Sequence, residues 1–271
     1  MLCASINGVE LEYIVQGSGE PVVLIHGGIY ADSYFPLMAQ PLLANHYRMI
    51  NYHRRGFAGS THSDSVVSIR QQAADCNELM ESLDTDRAHI VGHSYGGTIA
   101  LQLAIDAPSK IHTLSLLEPA LVGYVQSVSE LIPKLESSVD MYKKGNIVQA
   151  IDSFCQLIGG SQYRSVVDNA LPPGAFDLAV ADGDTFFKVE QPSLQSWGFT
   201  PEDARSINQP VLSVLGTNSE RVFQQIHELI LSWIPRTETL ILPNATHMLH
   251  MMNPNGMAEG LEHFFSRHPL R

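Results

Sequence analysis

A serine, a histidine and a choice of two glutamates carry the chemistry legible in this chain. Ser94 stands in Gly92-His93-Ser94-Tyr95-Gly96, a G-x-S-x-G pattern. Residues 88–91 (Ala-His-Ile-Val) read as a short buried strand running into it. Residues 97–104 read as a helix that stops near Pro108. A sharp turn from strand to helix strains the serine backbone and aims its hydroxyl out of the sheet. Gly92 and Gly96 leave room for that turn.

A serine hydroxyl is a poor nucleophile near neutral pH. It needs a base within hydrogen-bond reach, and the base needs an acid that fixes its tautomer and stabilises its cation. With the parts in the order serine, acid, histidine, the base lies after Ser94 on a loop that follows a strand. His247 meets that requirement. His112 begins a strand, His227 lies in a helical pattern, and His250, His263 and His268 sit in the terminal segment. His247 and His250 are three apart, but no third metal ligand accompanies them, so no metal site is expected. A tetrahedral intermediate also needs N–H donors for its oxyanion. Tyr95, at the positive start of its helix, supplies one. Gly28, in the side-chain-poor loop His26-Gly27-Gly28, supplies the other.

The elements that must position these residues alternate along the chain. Strands are expected at residues 9–16 (an edge strand), 22–25, 47–52, 88–91, 113–117, 210–216 and 237–242. Helical patterns fall at 30–44, 66–83, 97–104, 221–234 and 254–267. Such alternation predicts an α/β fold: a mostly parallel central sheet with helices on both faces. Active residues then gather on loops at the carboxyl ends of strands, where Ser94 and Glu118 both fall. Residues 120–206 break the rhythm with amphipathic helical stretches such as 125–142 and 147–158. They predict a helical cap inserted in a core made of residues 1–119 and 207–271. Phe186, Phe187 and Trp197 of that cap suggest a moderately hydrophobic ligand. The loop His53-Arg54-Arg55 has the look of a phosphate or carboxylate clamp.

The chain has 271 residues, 44% hydrophobic and 16% charged, with a formal charge of −12. That charge argues against nucleic acid as a partner. No apolar run approaches the roughly 20 residues that span a bilayer, and the start of the sequence shows no signal-peptide pattern. Three widely spaced cysteines imply neither a disulfide framework nor a thiolate metal site. The expectation is a cytoplasmic monomer or homodimer acting on a small molecule, with no cofactor.

Five segments carry a resemblance that covers nearly the whole chain: His26-Gly27-Gly28, residues 55–60 (Arg-Gly-Phe-Ala-Gly-Ser), residues 92–97, Pro210 to Gly216, and Asn244-Ala245-Thr246-His247. Through them the chain resembles the α/β-hydrolase fold family. That resemblance implies a serine nucleophile and a helical lid. It also implies that the loop 53–55 is mainly structural rather than a ligand clamp, with Arg55 holding neighbouring loops. It disfavours dehalogenase and epoxide hydrolase chemistry, because those relatives carry aspartate where Ser94 stands. In many members the strand after the cap ends in Gly-x-x-Asp, and that aspartate is the acid. Here the segment reads Gly216-Thr217-Asn218-Ser219-Glu220, so serine occupies the position and Glu220 comes one residue late. Other members place the acid at the end of the strand after the nucleophile helix, where this chain has Glu118. A glutamate ending the apolar strand 114–117 is an expensive buried charge unless an imidazole pairs with it. Glu118 is therefore the favoured acid and Glu220 the alternative. The expected activity is hydrolysis of a carboxylic ester or lactone. Carbon–carbon bond hydrolysis by the same triad is the first alternative, and perhydrolysis a lesser one. A non-catalytic receptor on the same fold is the reading that an absent acid would favour.

Overall fold

Asn7 and Gly8 both take positive φ, 49° and 80°, as a two-residue hairpin turn requires. They join β1 (Leu2–Ile6) to β2 (Val9–Gln16) as an antiparallel pair. The structure is a computed structural model that describes residues 1–63 and 65–270. It continues the sheet with β3 (Glu20–Ile25), β4 (Tyr47–Tyr52), β5 (Ala88–His93), β6 (Ile111–Leu117), β7 (Val211–Gly216) and β8 (Glu238–Leu242). The spatial order is β1-β2-β4-β3-β5-β6-β7-β8. Pairing is parallel from β4 through β8, and β2 runs antiparallel to β4. The expected edge strand at residues 9–16 is thus interior. The hairpin brings β1 to the edge, and the sequence reading missed that turn.

Alternation along the parallel strands divides the core between two faces. Val23 and Ile25 of β3 join Ile90 of β5 and Leu114 and Leu116 of β6 on one face. Val22, Leu24, Val91 and Leu117 join Val214 on the other. Helices Ile69–Ser82, Tyr95–Asp106 and Arg221–Trp233 cover the first face, and Pro254–Arg267 covers the second. Residues 30–44 do not form one helix. Prolines at the first turns divide them into Phe35–Met38 and Pro41–Ala44, after a nonhelical loop.

Between β6 and β7 the regular elements among the described residues are all helical, from Val128–Lys143 to Pro201–Ser206. Ala150, Ile151, Val167, Phe176 and Phe186 of this segment share a cluster with Ile29, Tyr30, Met248 and Met251. Those four residues follow the Gly28 and His247 loops, so the helical segment packs on the two loops that matter most. Polar contacts reinforce it. Asp182 accepts from Ala58 N–H at 2.9 Å, Thr185 Oγ1 donates to the Gly56 carbonyl at 2.5 Å, and Thr246 Oγ1 donates to the Gly159 carbonyl at 3.1 Å. No helix among the described residues is long and apolar enough to cross a membrane.

Candidate active site

Ser94 occupies the junction between β5 and helix Tyr95–Asp106, with φ 51° and ψ −119°. Few non-glycine residues adopt such a φ, and the strain is held by the surroundings. Ser94 N–H donates to the Leu117 carbonyl and Ala120 N–H to the Ser94 carbonyl, both at 3.0 Å. The glycines are required sterically. A Cβ on Gly92 would stand 2.5 Å from the Gly96 carbonyl oxygen, and one on Gly96 would stand 2.1 Å from that of Ile25. Ser94 is half-buried and lines a cavity that also reaches His247, Gly28 and Tyr95.

Glu118 follows the last residue of β6 with φ 44°. Its carboxylate is buried and accepts three hydrogen bonds. Gly216 N–H lies at 2.9 Å and Ser219 Oγ at 2.5 Å from Oε1, and His247 Nδ1 lies at 2.7 Å from Oε2. Acceptance by the carboxylate places the proton on Nδ1 and leaves Nε2 as the basic nitrogen. The His247 ring stacks on Phe223, centroids 3.9 Å apart and planes 11° apart. Its carbonyl accepts from His93 Nε2 at 2.9 Å. Glu220 does not enter this arrangement. It is exposed and precedes helix Arg221–Trp233. Ser219, at the position where an aspartate was sought, instead donates to Glu118. No Ser94–His247 hydrogen bond is formed among the described residues. Catalytic contacts of this kind are often loose until substrate is bound.

Tyr95 N–H heads its helix and has no intrahelical acceptor. Gly28 lies close against the helical segment, so that a Cβ there would stand 3.1 Å from the Phe186 ring and 3.0 Å from Glu190 Oε2. The next residue, Ile29, has φ 74°, a strained value for a β-branched side chain. Two histidines back this arrangement. Burial, with His250 and His247 adding, holds His93 well below the usual histidine range. Burial pushes His250 down to about 3, and its ring stacks on Tyr34 rather than converging with His247 on a shared ligand.

The cavity measures about 110 Å³, near the roughly 150 Å³ in which a benzene fits. Its wall is apolar, with Ile29, Leu131, Phe154, Phe186, Phe223 and Met251 prominent, and among the described residues no lysine, arginine, aspartate or glutamate lines it. Of the three aromatics singled out in the sequence, only Phe186 lines the cavity. Phe187 stacks on Tyr142, and Trp197 stacks on Phe199 and donates from Nε1 to Gln102. Phe223 gave no sequence signal beyond an ordinary helical apolar position. In the loop 53–55, Arg55 makes a two-pronged pair with Asp75 at 3.0 and 2.9 Å, on helix Ile69–Ser82 rather than on a neighbouring loop.

The family model of the alpha/beta hydrolase fold matches residues 20–254. The chain belongs to this family. Among curated relatives, this α/β hydrolase is 32% identical over 118 residues to a fluoroacetate dehalogenase from a Burkholderia species. That alignment covers 42% of this chain and 38% of the dehalogenase. The chain therefore spans well under two thirds of that relative. It is 26% identical over 268 residues to the 2-hydroxy-6-oxo-6-(2'-aminophenyl)hexa-2,4-dienoic acid hydrolase of Metapseudomonas resinovorans, covering 96% of this chain and 89% of that protein. Among solved structures, the enol-lactonase of Burkholderia xenovorans LB400 superposes with a TM-score of 0.83 at 20% identity, over 98% and 100% of the two chains. Carboxylesterase CesB of Bacillus subtilis does so at 0.75 and 21%, over 97% and 90%. At these identities the structural likeness speaks for the fold.

Proposed function

We propose that this α/β hydrolase is a serine hydrolase that cleaves a carboxylic ester or lactone of a small, uncharged, moderately hydrophobic molecule. The observation that carries the reading is the Glu118–His247 pair at 2.7 Å, its histidine lining the same cavity as the strained Ser94. His247 Nε2 takes the Ser94 proton as Oγ attacks the carbonyl carbon. Glu118 holds the Nδ1–H and stabilises the imidazolium. Gly28 and Tyr95 N–H groups receive the oxyanion. His247 then gives its proton to the leaving alkoxide, and the acyl group stays on Ser94. Water, deprotonated by the same nitrogen, releases the acid and restores the serine. Residues 120–206 act as the cap that excludes bulk water.

The wall of the cavity selects among the chemistries of the relatives. Fluoroacetate and a hexadienoic acid both carry a carboxylate, whereas no lysine or arginine among the described residues lines this cavity. A neutral ester or lactone suits it better than an anionic diketone. The serine at position 219 argued for a receptor, and the Glu118 carboxylate beside both Ser219 and His247 supports the enzyme reading instead. Replacing Ser94 by alanine should lower turnover of short aryl esters by about 10⁵-fold or more. The same change should abolish labelling by a fluorophosphonate probe. Labelling that persists in Ser94→Ala overturns the assignment.

A further inference from the structure

One expected oxyanion donor, the Gly28 N–H, belongs to the Gly27–Gly28 peptide, and a buried cation holds the other end of that peptide. Arg54 Nη2 donates to the Gly27 carbonyl at 2.9 Å, and Nε donates to the His26 carbonyl at 3.0 Å. His26 Nδ1 donates to the same Gly27 oxygen at 2.7 Å, while its Nε2 accepts from Arg54 N–H at 2.9 Å. Burial and the nearby Arg54 charge hold His26 neutral, which keeps this tautomer. Carbonyl and N–H share one planar, conjugated amide. Two donors on the Gly27 oxygen fix the plane in which the Gly28 N–H points. They also draw electron density from the nitrogen and strengthen it as a donor.

The same guanidinium also packs against aromatic side chains, that of Tyr95 among them. It lies 5.0 Å from the Tyr95 ring centroid and 4.7 Å from that of Phe57. Arg54 Nη1 donates to Gln72 Oε1 at 2.6 Å and approaches Glu190 Oε1 at 2.5 Å. Glu190 lies on the π-helical turn Thr185–Glu190 of the helical segment, and both side chains are 1% exposed. The pair is a contact of charges: neither Glu190 oxygen has an aligned donor among the described residues. Glu190 Oε2 stands beside Gly28, where a lone carboxylate would repel a developing oxyanion. A buried pair of this kind adds little stability over well-packed apolar residues, so packing alone does not account for it.

We propose that Arg54 is a positioning residue of the oxyanion hole, acting through the Gly27–Gly28 peptide, with Glu190 tying it to the helical segment. The proposal rests on the serine-hydrolase reading above. The test compares wild type with Arg54→Gln, Arg54→Lys and Glu190→Gln. It measures kcat and KM for a short aryl ester, and affinity for an arylboronic acid, which forms a tetrahedral anionic adduct on serine. Loss of a direct oxyanion donor costs about 10²–10³-fold, so loss of its support in Arg54→Gln should lower kcat about 10–100-fold. Boronate affinity should fall by the same factor, with KM within about threefold. Arg54→Lys keeps the buried charge but cannot span the same carbonyls and Gln72 together, so it should lose about fivefold or more in both quantities. It serves as the test should Arg54→Gln fail to fold. Glu190→Gln cuts the tie to the helical segment but leaves the Arg54 hold on Gly27 in place, and should weaken boronate binding less than Arg54→Gln does. Boronate affinity unchanged in folded Arg54→Lys overturns the proposal, whatever happens to KM. A wild-type protein with neither ester turnover nor fluorophosphonate labelling overturns the serine-hydrolase reading instead.

Discussion

Two glutamates lie buried beside residues of the candidate site, Glu118 against His247 and Glu190 against Gly28, each with a side chain 1% exposed. Glu118 accepts from Gly216 N–H, Ser219 Oγ and His247 Nδ1. Glu190 faces only a guanidinium, with no aligned donor among the described residues, and burial pushes its carboxyl up against the pull of Arg54. A carboxylate held by three directional bonds has a fixed orientation and can aim an imidazole ring. One held by charge alone has a fixed neighbour but a free orientation. It suits a contact between two bodies, here the helical segment and the Gly28 loop. Equal burial therefore does not mean equal work.

The largest expected effect tests the directional side. Glu118→Gln keeps shape but cannot stabilise the imidazolium, and should lower kcat by about 10³–10⁴-fold. Glu220→Gln, at an exposed position, should stay within about twofold of wild type. If Glu220→Gln alone is crippled in steady-state assays, the roles drawn here for the two residues are reversed. Because Ser219 Oγ is 2.5 Å from Glu118 Oε1, adding Ser219→Asp to Glu118→Gln should restore about tenfold or more of the lost kcat.

A smaller effect should follow Ser219→Ala, which removes one of three donors to Glu118. A hydrogen bond to a charged group contributes about 1.5–3 kcal/mol, and only part of that reaches the transition state. A fall of about three- to tenfold in kcat is expected. No change would mean that Gly216 and His247 suffice to hold the carboxylate.

A different kind of effect, on stability rather than turnover, concerns acid. His250 ionises near 3 when folded against an ordinary 6.5, and His93 is lowered in the same direction, both mainly through burial. These rings packed behind His247 bind a proton more readily when unfolded. Their contribution is fully present above pH 6.5 and is lost as pH falls toward their folded values. The slope is about 1.4 kcal/mol per pH unit for each histidine. Urea melts across that window should show this fall. His250→Phe, retaining the stack on Tyr34, should flatten it by about one proton's worth. An unchanged slope would mean that His250 does not titrate on unfolding.

Much of this was legible from residue types. The strand–Ser94–helix junction, His247 and the polarity of the sheet follow from local patterns that the fold enforces strongly. Glu118 was legible because a carboxylate at the end of an apolar strand demands a partner. The pairing of Ser219 with Glu118 was not, since it joins two strand ends 101 positions apart in sequence. Nor was Glu190, whose turn reads Thr-Phe-Phe-Lys-Val-Glu with no period to mark which side chain turns inward. The N-terminal edge strand has its signal in Asn7-Gly8, a turn pair that the alternation of residues 9–16 does not by itself reveal. The aromatic residues of the helical segment misled because bulk alone does not say whether a ring faces the cavity or packs on another ring.

The bond between Ser219 and Glu118 also bears on how such a site changes over generations. The two residues sit at the ends of adjacent strands, β7 and β6, and their side chains meet. A carboxylate can pass from one strand end to the other through point substitutions, with no loop inserted or deleted. The lineage need never lose a negative charge beside the histidine on the way, because a bearer of both carboxylates is a neighbour of each form.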